Sequence, residues 1–251
     1  MSPSFQSIET TMRNPAGRLH AVLEPLSKID ENKSASQVLG SFFEYHENDV
    51  QSILRVLFEL NIELDKLVNT LSYSDLANKD MYLSNLEPLR KALMPPRGLS
   101  QWKNISCYLD SKTIYNLQLI ANELGDEGDL ENSKLAELKE VFSDLFQTIS
   151  NEQLPSELKK WILEILSQIL LAIDKYQIHG IDGLKRAAAY SIGELIHLKS
   201  ELLKESNQNW SKPLVETLIK FDITIMGALK RTSAIASGYE AAKKLLGFDS
   251  L

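Results

Sequence analysis

A chain of 251 residues that is 43% hydrophobic and 24% charged, with one cysteine, is long enough to bury a substantial core and cannot build a disulfide framework. Its formal charge of −7 is unevenly spread: residues 1–154 hold 14 basic and 23 acidic side chains, a net of −9, and residues 155–251 hold 13 and 11, a net of +2. That balance argues against broad nucleic-acid binding, which wants a basic surface, and allows a basic protein partner for the acidic part. The stretch Met1–Glu9 lacks the charged-then-apolar pattern of a signal peptide. The longest apolar run, Trp161–Ile173, is interrupted by Glu164, Ser167 and Gln168, short of the roughly 20 residues that cross a bilayer. With Cys107 alone, a soluble, cytoplasmic protein is expected.

Taken in order, residues 1–47 read as an N-terminal arm with one short helix around Ala21–Ile29, punctuated by Pro15, Gly17, Pro25 and the polar run Asp30–Ser36. From Asn48 the apolar residues Val50, Ile53, Leu57, Leu60, Leu64, Leu67 and Leu71 step by three and four. Leu54, Val56 and Val68 widen that seam, as suits a bundle helix with several neighbours. Ser72 or Ser74 is expected to cap the next helix, with Pro88 kinking or restarting it and Pro95-Pro96 ending it. Trp102–Leu109 reads as coil or a short helix. Asp110 or Ser111 caps a helix through Ile114, Leu117, Ile120 and Leu124, and a further helix steps through Leu135, Leu138, Phe142, Leu145 and Ile149.

The stretch Leu154–Lys204 is expected to form a central antiparallel hairpin. Ser156 would cap its first helix, and His179-Gly180-Ile181-Asp182-Gly183 would turn the chain. Ser211 with Pro213 marks the start of a last helix. Beyond it Ala234, Gly238 and Ala242 fall four apart, a stripe along which another helix can approach closely. The expected fold is all-α: an irregular bundle of about seven or eight helices. An acidic layer over 48–153 and a second layer over 154–251 would share one core behind the 1–47 arm.

Few side chains suggest chemistry. Glu194 and His197 lie one turn apart on a helix, the pair that metal-carboxylate bundle enzymes use twice. Here it occurs once, so a surface neighbour pair is the simpler reading. Arg13-Asn14-Pro15-Ala16-Gly17-Arg18-Leu19-His20 resembles, over eight residues, the Arg…His signature of HEPN ribonucleases. That resemblance implies an all-helical nuclease with Arg13 and His20 converging on a scissile phosphate. Pro15 and Gly17 interrupt a motif that family carries on a helix, and the residues alone read as a flexible basic arm. Phe42-Phe43-Glu44-Tyr45-His46-Glu47 reads as a packed aromatic cluster with an acidic edge, and Asp126–Glu131 as a solvated acidic loop without the alternating ligands of a calcium site.

No Gly-rich phosphate loop, nucleophile elbow or zinc spacing occurs, and no cofactor is expected. The expected function is therefore a non-enzymatic helical interaction module, of the immunity, antitoxin-like or phage-defence accessory kind in bacteria. It would meet a protein partner or a second copy through helix faces, with the Ala234, Gly238, Ala242 stripe as the leading surface. The alternatives are the nuclease or metal-carboxylate enzyme, and an effector that inserts its C-terminal helix into membranes. Lys220, Asp222, Lys230, Arg231, Lys243 and Lys244 weigh against the last.

Overall fold

The computed structural model describes residues 14–95, 98–198, 201 and 208–229. They hold ten helices and no strand: α1 Pro15–Ser27, α2 Ala35–Phe42, α3 Val50–Ser72, α4 Lys79–Leu93, α5 Lys103–Ser106, α6 Ser111–Leu124, α7 Asn132–Asn151, α8 Ser156–Asp174, α9 Tyr176–His197 and α10 Gln208–Ala228. The all-α expectation holds; the helix count exceeds seven or eight because α1, α2 and the single-turn α5 are all formed. The chain divides into two compact units between Asp126 and Glu127. The boundary thus falls ahead of α7 rather than at 153, and residues expected as an arm are built into the first unit.

In that first unit α1 packs on α6 and α3, α4 packs on α3 and α6, α2 packs on α3 and α5 on α4. Helix α1 forms because Asn14 is an N-cap followed by Pro15 at the first helical position. Asn14 Oδ1 accepts from the Gly17 N–H at 3.0 Å, and Asn14 Nδ2 donates to the carbonyls of Ala121 and Gly125, each at 2.7 Å. One buried amide thus satisfies the start of α1 and the end of α6. Leu19, Val22, Leu23 and Leu26 then face the core, together with Ile53, Leu57, Leu60, Leu64, Leu67 and Leu71 of α3.

Between α1 and α3 this core holds charge. Arg18 and Glu63 are 6% and 0% exposed. Arg18 Nε donates to Glu63 Oε1 at 3.0 Å, a guanidinium Nη2 meets the same oxygen, and Lys66 Nζ reaches Glu63 Oε2 at 2.9 Å. Asn61 and Asn116 are buried in the same unit.

Several capping expectations give way to better-placed groups. The cap of α3 is Asp49, which accepts from the Ser52 N–H at 3.1 Å, and that of α6 is Asp110, accepting from Thr113 at 2.7 Å, as expected. Ser72 closes α3 instead of capping α4, its hydroxyl donating back to the Val68 carbonyl. Helix α4 begins at Lys79 and runs unbroken through Pro88. Ser156 is the first residue of α8, behind Pro155, and makes no cap hydrogen bond.

In the second unit α7, α8, α9 and α10 form a four-helix arrangement in which α8 packs on α7 and α9, and α10 packs on α9 and α7. The apolar spacings of the sequence become its core: Phe142, Ile149, Ile162, Ile165, Leu166, Ile169, Leu184, Leu214 and Phe221 are each 0% exposed. The Phe142 and Phe221 rings meet edge to face with centroids 5.1 Å apart.

The α8–α9 hairpin is present, and Gly180 supplies its left-handed break as expected, but α8 ends short of Tyr176. Helix α8 stops at Asp174, and Tyr176–His179 make an extra turn before the backbone breaks at Gly180, φ 57° and ψ −155°. Helix α10 starts at Gln208, so Pro213 lies inside it rather than at its start. The loop ahead of α7 is tied down twice. Tyr176 Oη accepts from the Leu130 N–H and donates to Asp129 Oδ1, both at 2.8 Å. Gly128, with φ 102°, lies so close to the Ala228 carbonyl that a Cβ at this position would collide with its oxygen.

Candidate functional site

The predicted site residues are not gathered into one place. His20 sits half-buried on α1, its imidazole pKa lowered by burial, raised in part by Glu24 and lowered by Lys28. The segment from Pro15 onward is helical after all, because a proline at the first position of a helix costs no hydrogen bond. Arg13 lies outside the described residues, as do Ala234, Gly238 and Ala242. Glu194 is engaged across the hairpin, accepting from the indole N–H of Trp161 on α8, and His197 is exposed at the end of α9. No group of three or more His, Cys, Asp or Glu among the described residues is placed to hold a metal ion. None of the described helices is long and apolar enough to cross a membrane.

The aromatic cluster ahead of α3 is packed as expected: Phe43 is buried, and Phe42 meets it edge to face at 5.0 Å. Glu44 has φ 57°, and the Tyr45 N–H returns to the Gly40 carbonyl at 2.8 Å, closing α2. This turn leaves Glu44, Glu47 and Asp49 exposed just before α3.

Along α3 itself Val50, Leu54 and Phe58 are 45%, 46% and 58% exposed. Four-residue spacing puts them on one side of the helix, away from the buried row that starts at Ile53. The expectations that Val50 opens the buried seam and that Leu54 widens it are corrected: both belong to this outward row, while Val56 is buried. Leu54 was visible in the sequence as an apolar residue beside the seam; its outward direction depends on which neighbours α3 acquires.

A second feature is a cleft of about 440 Å³ along α8 and α9. Apolar Leu171, Ala172 and Ala187 line it together with Lys175, His179, Arg186 and Tyr190. Small side chains on the facing helices leave the space open. At Gly183 a Cβ would stand 2.8 Å from the Cβ of His179, so the missing side chain lets the imidazole fold back against α9. Burial, reinforced by Glu194 and Glu164, raises the Tyr190 pKa, so the phenol keeps its proton. Lys175 and His179 come from the turn and Arg186 from the helix beyond the Gly180 break. Lys175, His179, Gly183, Arg186 and Tyr190 follow at steps of four, four, three and four, but the break at Gly180 leaves the sequence unable to fix whether they share a face.

No family model matches the chain, and no curated protein or solved structure matches it either.

Proposed function

We propose that this chain is a non-enzymatic interaction protein that works in the cytoplasm by holding a basic protein partner on the outward face of α3. The observation that carries this reading is the row Val50, Leu54, Phe58. Three large apolar side chains stand in water on a helix whose other side is buried, with an acidic turn at the N-terminal end of the row. A partner segment with its own apolar stripe would remove that surface from water. Exposed Glu44, Glu47 and Asp49, offset in part by Arg55, favour a partner with basic residues at the matching end. Neutralising a basic protein in this way is the work of an antitoxin-like, immunity or defence accessory protein.

The test uses the tagged full chain in its native host, with the retained protein identified. A basic partner is expected to be held by the wild type and by a Tyr73→Ser control. It should be lost from Leu54→Asp/Phe58→Asp at unchanged helical signal and Tm, and retention should weaken as salt rises. A partner that the double variant still holds would overturn the proposal, as would one whose binding ignores salt.

A further inference from the structure

We propose that the outward face of the α8–α9 hairpin is an interface with a second copy of this chain, the two hairpins meeting about a two-fold axis beside Gln168 and Tyr190. On α8, Trp161, Glu164, Gln168 and Leu171 follow at steps of three, four and three, which makes one stripe. On α9, Gly183, Arg186 and Tyr190 line the cleft opposite Gln168 and Leu171. Trp161, Leu171 and Tyr190 are 36%, 43% and 39% exposed, more apolar surface than one hairpin face needs to leave in water. The charges on this face are sorted by position. Glu164 and Glu194 stand toward the open end of the hairpin, and Arg186 stands toward its turn. No ion pair engages Glu164 among the described residues, and Arg186 has Asp182 Oδ2 no nearer than 3.8 Å from its Nε. A face with opposite charges at its two ends disfavours a copy laid parallel and favours one turned end for end.

The spacing agrees with that arrangement. Trp161 and Glu164 are three residues apart, as Gly183 and Arg186 are, and end-for-end packing runs these two segments in the same direction. One docking therefore lays Trp161 on the gap at Gly183 and Glu164 beside Arg186, and the symmetry repeats both contacts. The Trp161 ring is already held by its hydrogen bond to Glu194, so little side-chain freedom is lost. Helix α8 has 19 residues. Two such helices side by side, about 28 Å long and about 20 Å wide, bury roughly 1,100 Å² over both copies, the low end of a specific interface.

This surface belongs to the second unit and is separate from the α3 row. The experiment measures the mass of the purified full chain by sedimentation over a dilution series reaching roughly 100 μM. Twice 28.3 kDa is expected at the top of the series. Leu171→Asp should be monomeric at unchanged helical signal and Tm; if it does not fold, the exposed charge variants carry the test. Glu164→Arg and Arg186→Glu should each weaken association roughly tenfold or more by setting like charges opposite each other. Both changes in one chain should restore it, since each copy then offers the reversed pair. Leu54→Asp/Phe58→Asp should still dimerise, which separates this result from loss of the α3 partner. The proposal is overturned by a monomeric wild type, by a folded Leu171→Asp that dimerises, or by single charge variants that associate as well as wild type. It is equally overturned by a double charge variant no stronger than the singles, or by dissociation on changing α3.

Discussion

The two units solve the same problem with different interiors. Both are helical and similar in length, yet the buried polar residues described in the first include Asn14, Arg18, Glu59, Asn61, Glu63 and Asn116, whereas those described in the second are Ser191 and Ser211. The described interior of the second unit is packed by apolar side chains, a contact that tolerates small slips between helices, and its polar ties lie nearer the surface. The first cannot slide: moving α1 along α3 by one turn would strand the Arg18 and Glu63 charges in a medium that does not solvate them. A buried ion pair of this kind adds little net stability over an apolar pair of equal size, but it dictates alignment.

The contrast breaks most sharply at Glu63. Glu63→Ala leaves the Arg18 guanidinium buried without its carboxylate and should cost about 3–5 kcal/mol in denaturant melts. The double change Arg18→Met/Glu63→Leu should return stability to within about 1–2 kcal/mol of wild type, or exceed it. If instead the double variant is as unstable as the single one, the pair matters for net stability and not chiefly for alignment. In the second unit, Phe142→Ala should cost about 3–5 kcal/mol through cavity formation alone, with no partner change able to rescue it.

A smaller effect is expected from Asn14→Ala. It removes three hydrogen bonds at about 1 kcal/mol each, and hydrogen exchange should speed up at the start of α1 and the end of α6 together. Gly128→Ala should cost about 1–3 kcal/mol, since a side chain must displace the Ala228 carbonyl and accept φ 102°. Exchange at the end of α10 is the measurement that distinguishes this local loosening from global unfolding.

The smallest effects separate the units by pH. The folded pKa of His20 lies below its ordinary 6.5, chiefly through burial, so the neutral ring is favoured and stability is lost as pH falls below 6.5 toward the lowered value. Asp49 and Asp110 are held below 3.8 by their hydrogen bonds to Ser52 and Thr113, so their contribution is full above 3.8 and lost as pH falls through the lowered values. In the second unit, burial raises Asp222 above 3.8. Its protonated form is favoured, and stability is lost as pH rises through the raised value. Mild acid should therefore loosen the first unit before the second, read by hydrogen exchange resolved along the chain. The reverse order would break the comparison.

What the sequence disclosed follows from range. The seam of α3 and the cap at Asp110 depend on neighbours within a turn or two, and both were legible. Helix α1 has its own local signal, Asn14-Pro15 as cap and first turn with Leu19, Val22, Leu23 and Leu26 following at helical spacing, but the same Pro and Gly17 also read as a break. The Arg18–Glu63 pair spans 45 residues and the Trp161–Glu194 contact spans 33, distances over which no spacing rule operates. The cleft was hidden for a different reason: Lys175 and His179 lie before the Gly180 break and Arg186 beyond it, so helical spacing alone does not fix whether they share a face.

The close approach of Gly128 to Ala228 has an architectural consequence. The chain reaches the second unit and completes its fourth helix at neighbouring points, so the intervening hundred residues form a loop already closed on itself. A module with adjoining ends can be grafted into a surface turn of an unrelated host at small entropic cost, because the host's flanking residues are not pulled apart. The described part of the second unit, residues 127–229, has its two ends adjoining in this way.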